Sequence, residues 1–156
     1  MDKIKSGLLK FKGTDRRFEY KGVVNDITII DDYAHHPTEI EATLTAAANY
    51  PHRKIWCVFQ PHTYTRTKAL LNDFAKALSL ADHVVLADIY AAREADTGEI
   101  HSRDLQAKLQ ELNIAADYFP SFAEIEQFLL DNCNAGDLVI TMGAGDIVNV
   151  GEDLLK

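Results

Sequence analysis

The sequence predicts a three-layer α/β domain whose sheet is mostly parallel, with about six strands, one of them an antiparallel edge strand. Three observations predict it. From residue 27 onward, short apolar runs alternate with helix-like stretches, the pattern of a parallel sheet wrapped by helices. The runs WCVF, VVLA and LVIT are continuously apolar, as strands covered on both faces must be. Ahead of them, RFEYKGVV and ITII flank Asn25-Asp26, a turn-prone pair that predicts a hairpin and an antiparallel first strand.

The elements follow in order. After a polar lead-in, the hairpin and the ITII strand, a helix is expected from about residue 38 to 49; Pro37 suits its first turn, and Thr38 with Glu41 has capping-box spacing. KIWCVF is the next strand, a helix is expected from about 66 to 80, and HVVLADI is the strand after it. Then come a helix from about 102 to 112, a short strand ADYF, and a helix from about 122 to 132 opened by Ser121 with Glu124. DLVITM is the last strand, and a terminal helix is expected from about 144 to 155. No repeat, low-complexity segment or linker interrupts the pattern, so residues 1–156 are expected to form a single domain.

A chain of 156 residues buries roughly 68 to 70% of the surface its unfolded form exposes, enough for a self-sufficient core. Its hydrophobic share of 47% and charged share of 26% exclude a disordered or fibrous class. A formal net charge of -8 repels polyanions, so neither nucleic acid nor an anionic membrane is an expected partner. Cys57 and Cys133 have neither metal spacing nor a disulfide framework and are expected to be buried structural thiols. No apolar run reaches the roughly 18 residues of a membrane span, and the opening MDKIKSGLLKF lacks the apolar stretch of a signal peptide, so a cytoplasmic location is expected.

In open parallel sheets, ligands bind beyond the carboxyl ends of the strands, and the unusual residues fall there. ITII is followed by DDYAHHP, WCVF by QPHTYTR, VVLA by DIYAARE and LVITM by GAGD. The fold would bring these four segments to one edge. Each alone has a plainer reading, since Asp, His and Thr are favoured where a loop caps the next helix, and Tyr33, Tyr64 and Tyr90 are reasonable rim packing residues. Asp31, Asp32, His35, His36 and His62 raise the possibility of a metal, but adjacent histidines project differently and no helical HxxxH pair is present, so no metal is expected. GAGD fits only half of a dinucleotide fingerprint, because Val148 stands at the third glycine position; Gly143 and Gly145 are expected to allow a tight turn and close backbone approach. No GxSxG elbow supports a serine nucleophile, and no GxxxxGK[ST] loop exists to hold ATP phosphates.

DDYAHHPTEI, VFQPHTYTRT, DIYAAREADTGEI and TMGAGDI, in this order and spacing, resemble the C-terminal domain of the Mur ligases, in the branch that joins L-alanine to UDP-N-acetylmuramate during bacterial peptidoglycan synthesis. The resemblance covers about residue 8 to 155. It implies a Rossmann-like domain and a parent of three, with an N-terminal UDP-sugar domain and a central P-loop domain absent from this chain. It also implies a reaction. The ATP γ-phosphate passes to the muramic acid carboxylate, the L-alanine amine attacks the acyl phosphate, and the amide forms with loss of phosphate. ATP and magnesium would then serve the full-length enzyme, none being bound by this chain alone, which is expected to be inactive in isolation.

By the same resemblance, Asp32 matches a contact to the ATP ribose, where a carboxylate accepts from two hydroxyls. Tyr33, His35 and His62 match positions lining the L-alanine pocket, and Arg66 matches the partner of the alanine carboxylate. His36 and Pro37 match residues that shape the loop and the helix entry. Thr63 departs from the pattern: many relatives carry a second arginine there, which leaves Arg66 to recognise the carboxylate, with Arg93 as a helper or else paired with Glu94 or Asp96. The rival reading is a stand-alone small-molecule-binding module that kept the pocket and lost catalysis.

Overall fold

Asn25 and Asp26 both take left-handed backbone, φ 51° and 64°, and turn β1 (Glu19–Val24) back antiparallel onto β2 (Ile27–Asp32). This is the twist a two-residue hairpin loop needs. The computed structural model describes residues 17–156. The polar lead-in, the reading of MDKIKSGLLKF and the start of the resemblance near residue 8 fall outside the described residues.

Four further strands, β3 (Ile55–Phe59), β4 (His83–Leu86), β5 (Ala115–Tyr118) and β6 (Leu138–Met142), run parallel to β2. The order across the sheet is β1-β2-β6-β3-β4-β5, so β6 lies between β2 and β3. The helices are α1 (Pro37–Ala48), α2 (Tyr64–Ala69), α3 (Leu71–Leu78), α4 (Ser102–Glu111), α5 (Phe122–Asn132) and α6 (Val148–Leu154).

Alternate residues of each central strand enter opposite cores. Ile55, Cys57 and Phe59 of β3, with Leu138, Ile140 and Met142 of β6, pack against Ile40 and Leu44 of α1, Phe74 and Leu78 of α3, and Leu105 and Leu109 of α4. Trp56, Val58 and Val139 face the other way, onto Ile125 and Leu129 of α5 and Val150 and Leu154 of α6. Each fully buried aliphatic or aromatic side chain here contributes about 1.5–3 kcal/mol relative to exposure. The unbroken apolar runs are thus two half-patterns of period 2, one for each helical layer.

The amino-terminal edge of the sheet is tied by Asp137. Its buried carboxylate accepts from Arg53 Nε at 2.8 Å and Nη2 at 3.1 Å, from Trp56 Nε1 at 2.9 Å and from the Asn134 N–H at 2.8 Å. Burial alone would lift its pKa, but these donors outweigh burial and hold it below the ordinary 3.8.

Several expectations need correction. Asp31 and Asp32 belong to β2 itself rather than to the loop after it, and β4 ends at Leu86 rather than at Ile89. The helix expected over 66–80 begins at Tyr64 and breaks at Leu70 (φ -113°, ψ 21°) into α2 and α3. The two halves answer to different neighbours: α2 is fastened to the loop after β4, whereas α3 follows its buried Phe74 and Leu78 into the core. The terminal helix starts at Val148, because residues 143–147 are held as a turn by a hydrogen bond from Gln60 Nε2 to Asp146 Oδ1 at 2.9 Å. Thr38 and Glu41 do not form a capping box. Pro37 takes the first helical position, so His36 caps α1 and Glu39 Oε1 accepts from the His35 N–H at 3.1 Å. Of the two cysteines, Cys57 is buried, while Cys133 is only half-buried.

Candidate functional site

Register fixes the height of the site. Asp32 pairs with Met142, Met142 with Phe59, Phe59 with Leu86 and Leu86 with Tyr118, so the parallel strands end level. From β2, β3 and β4 the chain passes to helices on one face; from β6 it passes to α6 on the other. The loop after β6 therefore parts from its neighbours and opens a crevice, as at the switch point of other open α/β sheets. Main-chain bonds hold its floor: Gln60 N–H donates to Met142 O at 3.0 Å and Gly143 N–H to Asp32 O at 3.1 Å.

Asp32 lies at one end of the crevice and is only 6% exposed. Its Oδ1 accepts from the Ala34 N–H and its Oδ2 from the Phe18 N–H, each at 2.8 Å. Burial raises its pKa above the ordinary 3.8 despite these two donors.

Beyond it runs a row of rings. Tyr33 meets His35 edge-on at 5.3 Å, His35 lies 5.5 Å from His62, and His62 stacks on Tyr90 at 5.6 Å with 22° between planes. His35 Nδ1 is 3.0 Å from Tyr33 O, an acceptor, so that nitrogen carries the proton. His62 Nδ1 sits 3.4 Å from Arg66 Nη1, a donor, so there the nitrogen accepts and the proton lies on Nε2. Burial, then the neighbouring His35 and Arg66, lower the His62 pKa below 6.5, with Glu94 offsetting part. His62 is neutral at neutral pH.

Arg66 owes its place to the segment before it. Pro61 O accepts from the Tyr90 N–H and Tyr90 O from the Thr63 N–H, both at 2.8 Å, which continues the β3–β4 pairing through His62 and Tyr90. Thr63 is pinned at φ 66°, ψ 146°, a conformation costing a β-branched residue about 1–3 kcal/mol. Its Oγ1 accepts from the Arg66 N–H at 3.3 Å, and its carbonyl accepts from Thr67 Oγ1 at 2.7 Å. The Thr63 hydroxyl therefore caps α2.

The loop after β6 closes the floor. Gly143 has φ 148°, and a Cβ there would sit 2.9 Å from Gln60 O; a Cβ at Gly145 would press still closer on Gln60 and Tyr90. Gln60 Oε1, beneath this turn, is buried without a hydrogen-bond partner among the described residues.

The structure thus gathers Tyr33, His35, His62, Thr63 and Arg66, sets Asp32 beside them, and places His36 and Pro37 at the start of α1. Arg93 is exposed on the loop after β4, and neither acid beside it holds it: Glu94 accepts from the backbone of α2, and Asp96 from the Gly98 N–H. Sequence reasoning missed Gln60 and Glu94 and gave Tyr90 only a rim role. Their position directly after strands was the available signal. Among the described residues, no group of three or more His, Cys, Asp or Glu is arranged to hold a metal, and no helix is long and apolar enough to cross a membrane.

Comparison with known proteins defines the class. The family described as "Mur ligase, glutamate ligase domain" matches residues 16–145, and the chain belongs to that family. Within it, a UDP-N-acetylmuramate--L-alanine ligase from Lachnoclostridium phytofermentans is 64% identical over 156 residues, all of this chain and 33% of that protein. One from Agathobacter rectalis is 66% identical over 155 residues, 99% of this chain and 34% of that protein. The chain thus spans about a third of the length of the curated relatives it matches. Among solved structures, the UDP-N-acetylmuramate-alanine ligase of Thermotoga maritima aligns with TM-score 0.72 at 31% identity, over 90% of this chain and 29% of that one. A murein peptide ligase from Psychrobacter arcticus aligns with TM-score 0.75 at 27% identity, over 90% of this chain and 29% of that one.

Proposed function

We propose that this chain is the amino-acid-binding domain of a longer ATP-dependent ligase that joins L-alanine to UDP-N-acetylmuramate through an acyl phosphate. The observation that carries the reading is the Arg66 guanidinium held beside neutral His62 at the end of a ring-lined row. A guanidinium offers paired N–H donors to an amino acid's carboxylate, and the neutral form of His35, whose Nδ1 proton faces Tyr33 O, leaves Nε2 to accept a hydrogen bond from its amine. With Tyr33 and His35 along the row, these groups would fix the amine as a nucleophile, and orientation of this kind is the main service such a domain supplies.

Asp32 is proposed as the ribose contact. Its oxygens accept the Ala34 and Phe18 N–H groups, and the Thr43 side chain also hydrogen-bonds to the carboxylate, which keeps acceptor capacity for a ribose hydroxyl. The sequence has no P-loop, so the ATP phosphates and magnesium would be held elsewhere in the longer protein, and domain closure would bring acyl phosphate and amine together. The chain alone is expected to turn over no ATP.

Steady-state kinetics of the longer protein test the division of roles. Arg66→Ala is expected to raise KM for L-alanine at least about tenfold while KM for ATP stays within about twofold, and Asp32→Ala is expected to do the reverse. Equal effects on both substrates would overturn it.

A further inference from the structure

We propose that Glu94, on the loop after β4, is the positioning residue that aims Arg66 at the substrate carboxylate. The inference deepens the ligase reading and rests on it. Glu94 Oε1 accepts from the Tyr64 N–H at 2.6 Å and from the Thr65 N–H at 3.0 Å. These are the first two N–H groups of α2, which no carbonyl within the helix reaches. Thr63 Oγ1 takes the third, that of Arg66.

A helix of 6 residues has little stability of its own, so its direction is set by what holds its ends. Arg66 is its third residue, and its guanidinium goes where that first turn points. The loop carrying Glu94 is itself fixed, through the main-chain bonds of Tyr90 to Pro61 and Thr63 and a Glu94 N–H to Ala91 O bond at 2.9 Å. The Glu94 carboxylate is engaged by the Tyr64 and Thr65 N–H groups and the Thr65 side chain, and the Arg66 guanidinium faces His62 Nδ1 and the crevice. The negative charge of Glu94 also partly offsets the downward push of Arg66 and His35 on His62. The loop after β4 and the helix after β3 thus form one rigid piece, with Arg66 its working end.

Two measurements decide the matter. In the longer protein, Glu94→Ala is expected to raise KM for L-alanine at least about tenfold with KM for ATP within about twofold. Glu94→Gln keeps an acceptor oxygen and should recover most of the loss; Glu94→Asp, one methylene short, should reproduce it, and it serves should Glu94→Ala not fold. In this chain, amide exchange at Tyr64 and Thr65 should accelerate in Glu94→Ala and Glu94→Asp, remain slow in Glu94→Gln, and leave β6 unchanged. An unchanged KM for L-alanine in both shortened variants, or a loss shared with ATP, overturns the proposal. If the wild-type protein makes no L-alanine product, the ligase reading fails, and the exchange data still show whether Glu94 holds α2.

Discussion

Gly145 lies flush against the Tyr90 ring: a Cβ on that glycine would come within 2.7 Å of Tyr90 Cδ1 and 2.5 Å of Gln60 Oε1. Neither neighbour yields easily. Gln60 is tethered to Asp146, and Tyr90 is bonded through its main chain on both sides. Gly145→Ala should therefore destabilise the domain by about 1–3 kcal/mol, the usual cost of overpacking. Thermal unfolding is the check, with a fall in Tm of about 2–4 °C per kcal/mol for a chain of this size.

The His62 ring supplies a second test. Its pKa lies below 6.5 because of burial and then the His35 and Arg66 charges, so the folded state disfavours its proton. Stability linked to this group is full above pH 6.5 and declines as pH falls from there through the folded pKa. Arg66→Ala removes one of the causes and should move the His62 midpoint upward. NMR titration of the ring proton reads the shift; a midpoint that moves down or stays put would contradict the geometry.

Asp137 makes the opposite prediction about pH. Its pKa is held below 3.8, so the stability it contributes is complete above that value and is lost as pH falls through the lower, folded one. Asp137→Ala strands the buried Trp56 Nε1, whereas the half-exposed Arg53 guanidinium turns to water, at a cost of about 1–3 kcal/mol. Denaturant unfolding at neutral pH should show that loss, and near pH 3 the gap between mutant and parent should narrow.

The sheet was legible because its strands are written in apolar residues, and the hairpin because Asn25 and Asp26 are turn formers. What stayed hidden was set by contacts between distant loops. No glycine or proline marks the break at Leu70, since it arises where α2 obeys Glu94 and α3 obeys the core. The late start of α6 reflects a hydrogen bond from Gln60, 86 residues away from Asp146 in sequence, which no local pattern records. Tyr33, His35, His62 and Arg66 were foreseen as neighbours through their family motifs, yet the order of the rings and the direction of the His62 proton needed coordinates.

The seat of β6 between β2 and β3 also governs how this chain can be built. Of the strands described it is the last to be synthesised, yet β2 and β3 have no direct pairing and are joined only through it. Until β6 emerges, the edges of β2 and β3 that it pairs with have no partner strand, and unpaired edges of that kind invite aggregation. The assembly step is a long-range insertion, closing a loop from Asp32 to Met142, and it should make folding slow for a domain of this length. The strand end that carries the glycine turn of the crevice is thus also the keystone laid last.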